Sequence, residues 1–238
     1  RPHVLLESCS SGGNRFDLGM LCFSPQIWCS DNTDPISRLD IQGGLSYLYP
    51  QSTFGAHVSA SPHAQTLRVT PLSTRGNVSF FGVLGYELDL KHLLPVEVKQ
   101  IKDQISFYKQ CRKLFQFGSF RRTETGWQVS NGEMAIAGVF HKQVDAAPAY
   151  ECLRVFDLTQ GRTYRVRSRA QELRVGQFGG LVKHVAPVNL NPNGVVLRTV
   201  DRHYTMPDGV QELTVSTSAL ESGIMLLPLF RGTGYDRN

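Results

Sequence analysis

Residues 3–34 contain two short apolar runs, and each run ends abruptly in small, polar and acidic residues. The first run is VLL, residues 4–6, and the second is IWC, residues 27–29. Near-continuous apolar runs of this kind favour strands that are buried on both faces, as in a parallel sheet. Between them, apolar side chains at spacings of four and three predict a short helix over residues 15–23; they are Phe16, Met20 and Phe23. The order strand, loop, helix, strand is the repeating unit of an α/β sheet or barrel.

The polar residues that follow the two strands form the candidate site, because ligands of α/β folds meet the carboxyl ends of the strands. The second run is followed by SDNTD, residues 30–34. Asp31 is the first candidate, since burial beside Trp28 and Cys29 would favour its protonated form and make it a proton donor. The alternative is that the polar residues of this segment only cap the helix that follows.

The loop CSSGGNRFD, residues 9–17, allows several interpretations. Cys9 as a nucleophile would need a partner histidine, and nothing identifies one among the seven. A phosphate loop would need a lysine that is missing here. The remaining functional interpretation is a neutral polar ligand held by Cys9 and by the backbone at Gly12, with an Arg15–Asp17 ion pair bracing the loop. A plain tight turn is the alternative.

Glu7, at the end of the first strand, is open to two interpretations. It is either a second carboxylate of the site or a partner of Arg15, and we favour the supporting role because structural pairs outnumber catalytic ones. The histidines, including His57 and His184, stand at no metal-ligand spacing, so we expect polar residues with ordinary hydrogen bonds and no metal site.

The rest of the first half is predicted to be helical and loop-like. A helix is expected from Pro35 to Tyr47, interrupted at Gly43-Gly44, and residues 49–90 are interpreted as loops and short helices. The strongest helix is predicted over residues 96–116, where apolar residues recur every three or four positions and Gly118 follows.

From Ser119 onward, short runs of β-branched and aromatic residues alternate with turn formers. The runs interpreted as strands are GWQVS, MAIAGVF, ECLRVFDL, RTYRVR, GGLVKHVAPVNL, NGVVLRTVDRHY, QELTVSTS and IMLLPLF. They predict an antiparallel β-sandwich over residues 119–238, after an α/β domain over residues 1–118. The fold class is therefore α/β plus all-β, with the boundary near Phe120.

Composition limits the remaining possibilities. The net charge of +5 is modest, and alternate spacing puts Arg165, Arg167 and Arg169 on one solvated strand face, so nucleic acid is not an expected partner. No apolar run is long enough to span a bilayer. Five cysteines without CxxC pairs argue against a disulfide framework and a structural zinc site, and they fit a reducing, cytoplasmic setting.

Long stretches of the chain are similar to a known family. They are PHVLLESCSSGGNRFDLGML, PQIWCSDNTD, GAHVSASPHAQT, RGNVSFFGVLGYELDL and FRGTGY. In this order they closely resemble glycoside hydrolase family 36, the retaining α-galactosidases. The similarity is strongest in residues 2–90 and patchier through the second half.

The resemblance implies that residues 1–118 are the last two strands and helices of a (β/α)8 barrel, followed by the C-terminal antiparallel β domain of the family. It implies that Asp31 is the general acid/base, that Cys9 and Gly12 contact galactose hydroxyls, and that Trp28 is a wall of the sugar site. The implied substrates are galactosides of the melibiose and raffinose type. No cofactor is implied, and the family resemblance suggests a homo-oligomer, a tetramer.

One departure from the family matters. A retaining glycosidase needs two carboxyl groups about 5–5.5 Å apart. The family's nucleophile lies in a lysine-tryptophan-aspartate type motif on an earlier strand, and these 238 residues contain no such motif. We therefore expect a C-terminal portion of the enzyme that is inactive by itself. The rival interpretations are an α-N-acetylgalactosaminidase and a non-catalytic carbohydrate-binding or structural module.

Overall fold

The computed structural model of the protein describes residues 3–9, 11, 15–143, 151–174, 194–207 and 210–226. Strands and helices alternate over its first half. The strands are β1 (Glu7–Ser8), β2 (Gln26–Ile27), β3 (Gly55–Ser59) and β4 (Val83–Glu87). The helices are α1 (Pro35–Leu45), α2 (Leu72–Ser79) and α3 (Pro95–Phe117), with short 3-10 helices at Met20–Cys22, Gln51–Thr53 and Leu90–His92.

The four strands run parallel and lie side by side in chain order. β1 pairs with β2, and β3 pairs with β4 over five residues. A parallel bridge between Ile27 and Phe54, both fully buried, connects the two pairs. Parallel neighbours need crossover connections, and α1 and α2 provide two of them. The described strands form this open arrangement and no closed barrel.

Two of the four strands were not predicted, because β3 and β4 lie in segments interpreted as loops and short helices. Their sequences, GAHVS and VLGYE, contain glycines, which are depleted in strands. The structure gives a reason for Gly85, since an added Cβ would lie 2.5 Å from the His57 ring on the neighbouring strand. Glycine in a strand here marks close approach rather than a turn.

The predicted elements at the beginning of the chain are shorter in the structure. Residues 4–6 form no strand, and Leu5 is 85% exposed, so the apolar run only precedes β1. The helix expected over residues 15–23 is reduced to the 3-10 turn Met20–Cys22, and Phe23 is exposed. A short helix draws its stability from packing, and this one buries no residue.

Two other helices agree better with the sequence. α3 matches the helix predicted over residues 96–116, and Glu97 accepts a hydrogen bond from the Leu94 N–H at 2.9 Å to cap its beginning. α1 begins at Pro35 as predicted, but it runs through Gly43 and Gly44 without interruption. The predicted break is therefore wrong.

The second half consists mainly of antiparallel strands, as predicted. They are β5 (Ser119–Arg122), β6 (Gly126–Ser130), β7 (Ala135–Val139), β8 (Cys152–Leu153), β9 (Thr163–Arg167), β10 (Glu172–Arg174), β11 (Thr205–Pro207), β12 (Glu212–Ser216) and β13 (Ile224–Met225). β5, β6 and β7 form one sheet, and the others pair as β8–β13, β9–β12 and β10–β11. Two helices, α4 (Val195–His203) and α5 (Thr217–Ser222), complete the described part.

One predicted strand is a helix. NGVVLRTVDRHY forms α4, whose buried residue is Leu197, and α4 packs beside α3. The β-branched residues that favoured a strand, Val195 and Val196, are exposed in the first turn of the helix. Tertiary contact has overridden local propensity here. The predicted strand GGLVKHVAPVNL and most of IMLLPLF lie outside the described residues.

The arginines expected on one strand face do not behave alike. Arg165 and Arg167 are exposed on β9, as predicted. Arg169 lies beyond the strand, where its guanidinium packs 5.3 Å from the ring centre of Phe80 and 5.1 Å from that of Phe107. Burial lowers the pKa of Arg169. The solvated face therefore contains Arg165 and Arg167, whereas Arg169 makes cation–π contacts with two aromatic rings.

The largest hydrophobic cluster contains residues of α2, α3, the segment between α2 and β4, and β6. Its buried members are Val78, Phe80, Phe81, Tyr108, Leu114, Phe115, Trp127 and Val129. Phe81 packs edge to face on Trp127 with ring centres 5.5 Å apart. The core therefore crosses the point near Phe120 where we predicted a domain boundary, and the division into residues 1–118 and 119–238 stays a prediction.

All five cysteines lie in the described part of the chain, and none of them forms a disulfide. None of the described helices is both long and apolar enough to cross a membrane.

Two phenylalanines at the end of α3 allow a matched stability test. Phe115 is 1% exposed and Phe117 is 75% exposed. Phe115→Ala should lower the free energy of unfolding by about 3–5 kcal/mol, because it opens a cavity among packed rings. Phe117→Ala should change it by about 0.5 kcal/mol or less. Urea unfolding followed by circular dichroism measures both, and equal losses would contradict the assigned core.

Candidate active site

The candidate site lies at the edge where the parallel strands end. Glu7 belongs to β1, Asp31 follows β2, His57 lies within β3 and Glu87 ends β4. Because parallel strands present their carboxyl ends to one edge, residues that are distant in sequence meet there. The proximity is visible in the distances, since the His57 ring lies 3.7 Å from the Glu87 carboxylate and 4.5 Å, between ring centres, from Trp28.

Asp31 is exposed at this edge, and its Oδ1 accepts a hydrogen bond from the Trp28 indole Nε1–H at 3.0 Å. The structure thus differs from the burial that we expected around this carboxyl group. Within the described part of the chain, the Asp31 Oδ2 atom takes part in no hydrogen bond or ion pair. The indole therefore occupies one oxygen, and the other is bonded to none of the described residues.

The carboxylate that caps α1 is Asp34 and not Asp31. Asp34 is fully buried, and its Oδ1 accepts the Ile36 N–H at 3.3 Å. Its Oδ2 accepts from Ser37 Oγ at 3.3 Å and pairs with Arg68 Nε at 2.9 Å. The two interpretations of the SDNTD segment thus belong to different residues, because Asp34 caps the helix and Asp31 does not.

Arg38 supports the Ser30–Asn32 turn by hydrogen bonds to its backbone carbonyls. Its side chain is buried, and it donates from Nη2 to the Ser30 carbonyl at 2.6 Å and from Nε to the Asn32 carbonyl at 2.8 Å. Nη1 donates to the Gly55 carbonyl at 3.1 Å and contacts Cys29 Sγ at 2.8 Å. Burial lowers the pKa of Arg38 and raises that of the Cys29 thiol.

Trp28 and His57 form an aromatic pair beside this turn. Their ring centres are 4.5 Å apart, and the Arg38 guanidinium lies 4.9 Å from the Trp28 ring centre. His57 Nδ1 lies 3.7 Å from a carboxylate oxygen of Glu87. Burial lowers the pKa of His57, and the nearby carboxylates Glu87 and Glu7 act in the opposite direction. Burial has the larger effect, so His57 is expected to be neutral at pH 7.

The segment after β3 braces the SDNTD segment from the other side. His63 is buried, and its Nδ1 accepts the Thr66 N–H at 3.3 Å, so its proton lies on Nε2 when the ring is neutral. Nε2 lies 3.0 Å from the Thr33 hydroxyl, and the Ser59 hydroxyl donates to the Thr33 carbonyl at 3.1 Å. The end of β3 and the loop after it therefore hold the backbone that follows Asp31.

The predicted supporting residues have other partners. Glu7 Oε1 accepts from Gln26 Nε2 at 3.0 Å and forms no ion pair with Arg15. Asp17 Oδ1 accepts the Met20 N–H at 2.7 Å, and no Arg15–Asp17 pair is formed between these two described residues. The predicted brace of the loop is therefore wrong.

The predicted sugar contacts are only partly described. Cys9 is exposed just beyond β1, and Trp28 is half-buried at the same edge. Gly12 lies outside the described residues. No group of three or more histidine, cysteine or acidic side chains within the described ranges could hold a metal ion.

Sequence reasoning missed Arg38 and Arg68, and it treated His57 as an ordinary polar residue. A signal existed for Arg38, because it lies four positions after the N-cap Asp34, and side chains in a first turn lean back toward the helix beginning. Nothing local marks Arg68 as the partner of Asp34, since that pair spans 34 positions of the chain.

The chain is similar in sequence to known proteins. Residues 1–118 match the family model described as melibiase. The α-galactosidase AgaA of Geobacillus stearothermophilus is 43% identical over 188 residues, which are 75% of this chain and 25% of that protein. α-Galactosidase 1 of Pediococcus pentosaceus is 47% identical over 158 residues, 66% of this chain and 21% of that protein.

Solved structures show the same similarity. The crystal structure of family 36 α-galactosidase AgaA has a TM-score of 0.73 at 33% identity, covering 95% of this chain and 27% of that one. An AgaA variant in complex with raffinose has a TM-score of 0.68 at 42% identity, covering 70% of this chain and 24% of that one.

The match of the first half and the similar structures identify a glycoside hydrolase region. The chain belongs to glycoside hydrolase family 36, in its α-galactosidase region, which confirms the resemblance seen in the sequence. It spans about a quarter of the length of the relatives described above.

The capping role of Asp34 leads to a testable difference between two aspartates of the same helix region. Asp34→Ala should lower the free energy of unfolding by roughly 2–4 kcal/mol, because it removes an N-cap and a buried partner of Arg68. Asp40, whose side chain is 74% exposed and pairs with Lys142, is the matched control. Asp40→Ala should cost about 1 kcal/mol or less. Similar urea midpoints for the two variants would contradict the assigned cap.

Proposed function

We propose that this chain carries the acid/base half of the active site of a retaining α-galactosidase, with Asp31 as the general acid/base. The observation that supports this role is that Asp31 is exposed at the end of β2 while Asp34 performs the capping. One oxygen of Asp31 is held by a hydrogen bond, and the other is bonded to no described residue. Such a carboxyl group suits proton transfer to a ligand.

The proposed reaction has two steps. In the first, Asp31 gives its proton to the glycosidic oxygen as the bond to galactose breaks, and the sugar is captured by a nucleophilic carboxylate. In the second, Asp31 removes a proton from the water that attacks the anomeric carbon, which releases galactose and restores the starting state. The Trp28 indole occupies Oδ1, so Oδ2 is the oxygen that carries the proton.

The nucleophile is proposed to lie outside these 238 residues. A retaining mechanism requires the second carboxyl about 5–5.5 Å from the first. Glu7 is the nearest alternative by strand position, but its carboxylate is engaged by Gln26, which fits a supporting role better. Asp17 is proposed to support the loop that follows β1 through its bond with the Met20 N–H, and not through an ion pair with Arg15.

The proposed substrates are oligosaccharides with a terminal α-galactosyl group of the raffinose and melibiose type. The complex of the similar AgaA variant with raffinose supports this class. Cys9 and Gly12 are proposed to hold galactose hydroxyls, and half-buried Trp28 is proposed as an apolar wall. The comparisons do not favour the α-N-acetylgalactosaminidase or a non-catalytic module.

For the fold, we propose that β1–β4 and their helices are the C-terminal part of a (β/α)8 barrel. Four parallel strands in chain order support this, two more than the sequence predicts. Residues 119–238 are proposed to form the antiparallel β-sandwich domain, and the complete enzyme is proposed to be a tetramer in the cytoplasm.

The missing nucleophile predicts that this chain alone has no α-galactosidase activity. Hydrolysis of nitrophenyl α-galactoside by the purified chain should equal the buffer rate. A chimera in which this chain replaces the matching region of AgaA is the positive control, and it should be active. Turnover by the isolated chain would show that both carboxyl groups are present within it.

The acid role of Asp31 predicts a dependence on the leaving group. In the chimera, Asp31→Ala should lower kcat for raffinose about 10²–10⁴-fold, because the oxygen of the departing sugar must be protonated as the bond breaks. Turnover of nitrophenyl α-galactoside, whose leaving group is stable as an anion, should be partly spared. Asp40→Ala is the control and should leave both substrates unaffected. Equal losses on the two substrates would rule out the acid role.

A further inference from the structure

We infer that Arg38 is a positioning residue for Asp31, and that it sets the direction in which this carboxyl group presents its proton. The inference rests on the proposed function, because it gives Arg38 a role in the proton transfer of Asp31. It is carried by the contacts of a single buried side chain with both neighbours of Asp31 in the chain and with Trp28.

The backbone on both sides of Asp31 is attached to the same guanidinium. Arg38 Nη2 donates to the Ser30 carbonyl at 2.6 Å, and Nε donates to the Asn32 carbonyl at 2.8 Å. The first carbonyl belongs to the peptide group that joins Ser30 to Asp31, and the second belongs to the peptide group that follows Asn32. Since the guanidinium is planar and rigid, the two bonds restrict the distance and the angle between two peptide groups, and the backbone of Asp31 and Asn32 lies between these groups.

The Asp31 side chain is controlled through Trp28. The indole donates to Asp31 Oδ1 at 3.0 Å, and the guanidinium carbon of Arg38 lies 4.9 Å from the indole ring centre. The indole also packs on His57, with ring centres 4.5 Å apart. Arg38 therefore acts on the carboxyl group along two routes, one through the backbone and one through the indole.

Arg38 itself has little freedom to move. It is 1% exposed, and its remaining contacts, with the Gly55 carbonyl at 3.1 Å and Cys29 Sγ at 2.8 Å, tie it to β3 and to the end of β2. Among the described residues it forms no ion pair with a carboxylate. Burying a guanidinium costs free energy even when backbone carbonyls accept its hydrogen bonds. Such an arrangement is better explained by a need to hold the geometry of a site than by stability alone.

The test uses the AgaA chimera that carries this chain, with Arg38→Lys as the variant. Lysine keeps the charge, but its single ammonium cannot reach the carbonyls on both sides of Asp31 in one fixed geometry. We expect kcat for raffinose to fall about 10–100-fold, because small displacements of a catalytic group have effects of this size. kcat for nitrophenyl α-galactoside should fall about threefold or less, and KM for that substrate should change little.

Arg75→Lys is the matched control. Arg75 is also a buried arginine that donates to a strand-end carbonyl, that of Ser59 at 2.6 Å, on the neighbouring helix. A purely structural loss should lower the amount of active enzyme, so the turnover of both substrates should fall by the same factor. That is the result expected for Arg75→Lys. The same parallel loss for Arg38→Lys would overturn the inference.

The two proposals can fail separately. If Asp31→Ala in the same chimera shows no dependence on the leaving group, the proposed acid role fails. If Asp31→Ala shows that dependence and Arg38→Lys does not, only the inference about Arg38 fails.

A second measurement uses the 238-residue chain itself and needs no activity. The chain has two tryptophans, Trp28 and Trp127, so Trp127→Phe assigns the indole N–H signals in a ¹H–¹⁵N spectrum. Arg38→Lys should move the Trp28 indole signal and speed its hydrogen exchange at least about tenfold, because the bond to Asp31 is no longer held. Arg75→Lys should leave it in place. An unchanged Trp28 signal in Arg38→Lys would refute the positioning role.

Discussion

The arrangement of the site depends on one buried positive charge. Arg38 lies in α1, and its hydrogen bonds reach the turn after β2 and the beginning of β3. Removing a guanidinium from water is costly, and the cost is met only if nearly every donor finds an acceptor. The carbonyls that provide these acceptors belong to segments that are distant in sequence. The helix and both strands must therefore be assembled in one geometry before the charge is satisfied.

Much of the fold was predictable where a single element decides its own structure. α3 has a clear 3.6-residue period, a proline in its first turn and a glycine after its end, and the structure places it almost where the sequence did. β3 and β4 were missed because their glycines serve contacts between strands, such as that of Gly85 with His57. α4 was mistaken for a strand because its β-branched residues have a high strand propensity. The helix buries Leu197, and this tertiary contact outweighs the local preference.

The candidate site could be predicted as a location but not as a set of contacts. The order of apolar runs and polar clusters was sufficient to select Asp31, because strand ends in α/β folds carry the chemistry. It could not separate a catalytic aspartate from a capping one, since both follow a strand and precede a helix. That separation depends on Arg68, which lies 34 positions away from Asp34 and pairs with it only in the folded chain. The expected Arg15–Asp17 pair is absent because a local contact replaces it, since Asp17 accepts the Met20 backbone N–H.

The antiparallel sheet has a physical connection to this site through the two ends of α1. The first turns of α1 carry Asp34 and Arg38, and its later part lies beside the sheet, where a Cβ added at Gly43 would be 3.7 Å from the Trp127 ring. Just beyond the helix, Arg122 of β5 donates to the Ser46 carbonyl at 2.9 Å. A helix held at its far end by the sheet and at its near end by strand carbonyls cannot slide along its axis without breaking one set of contacts. The β half of the chain therefore helps to fix the height at which α1 presents Arg38 to the turn that carries Asp31.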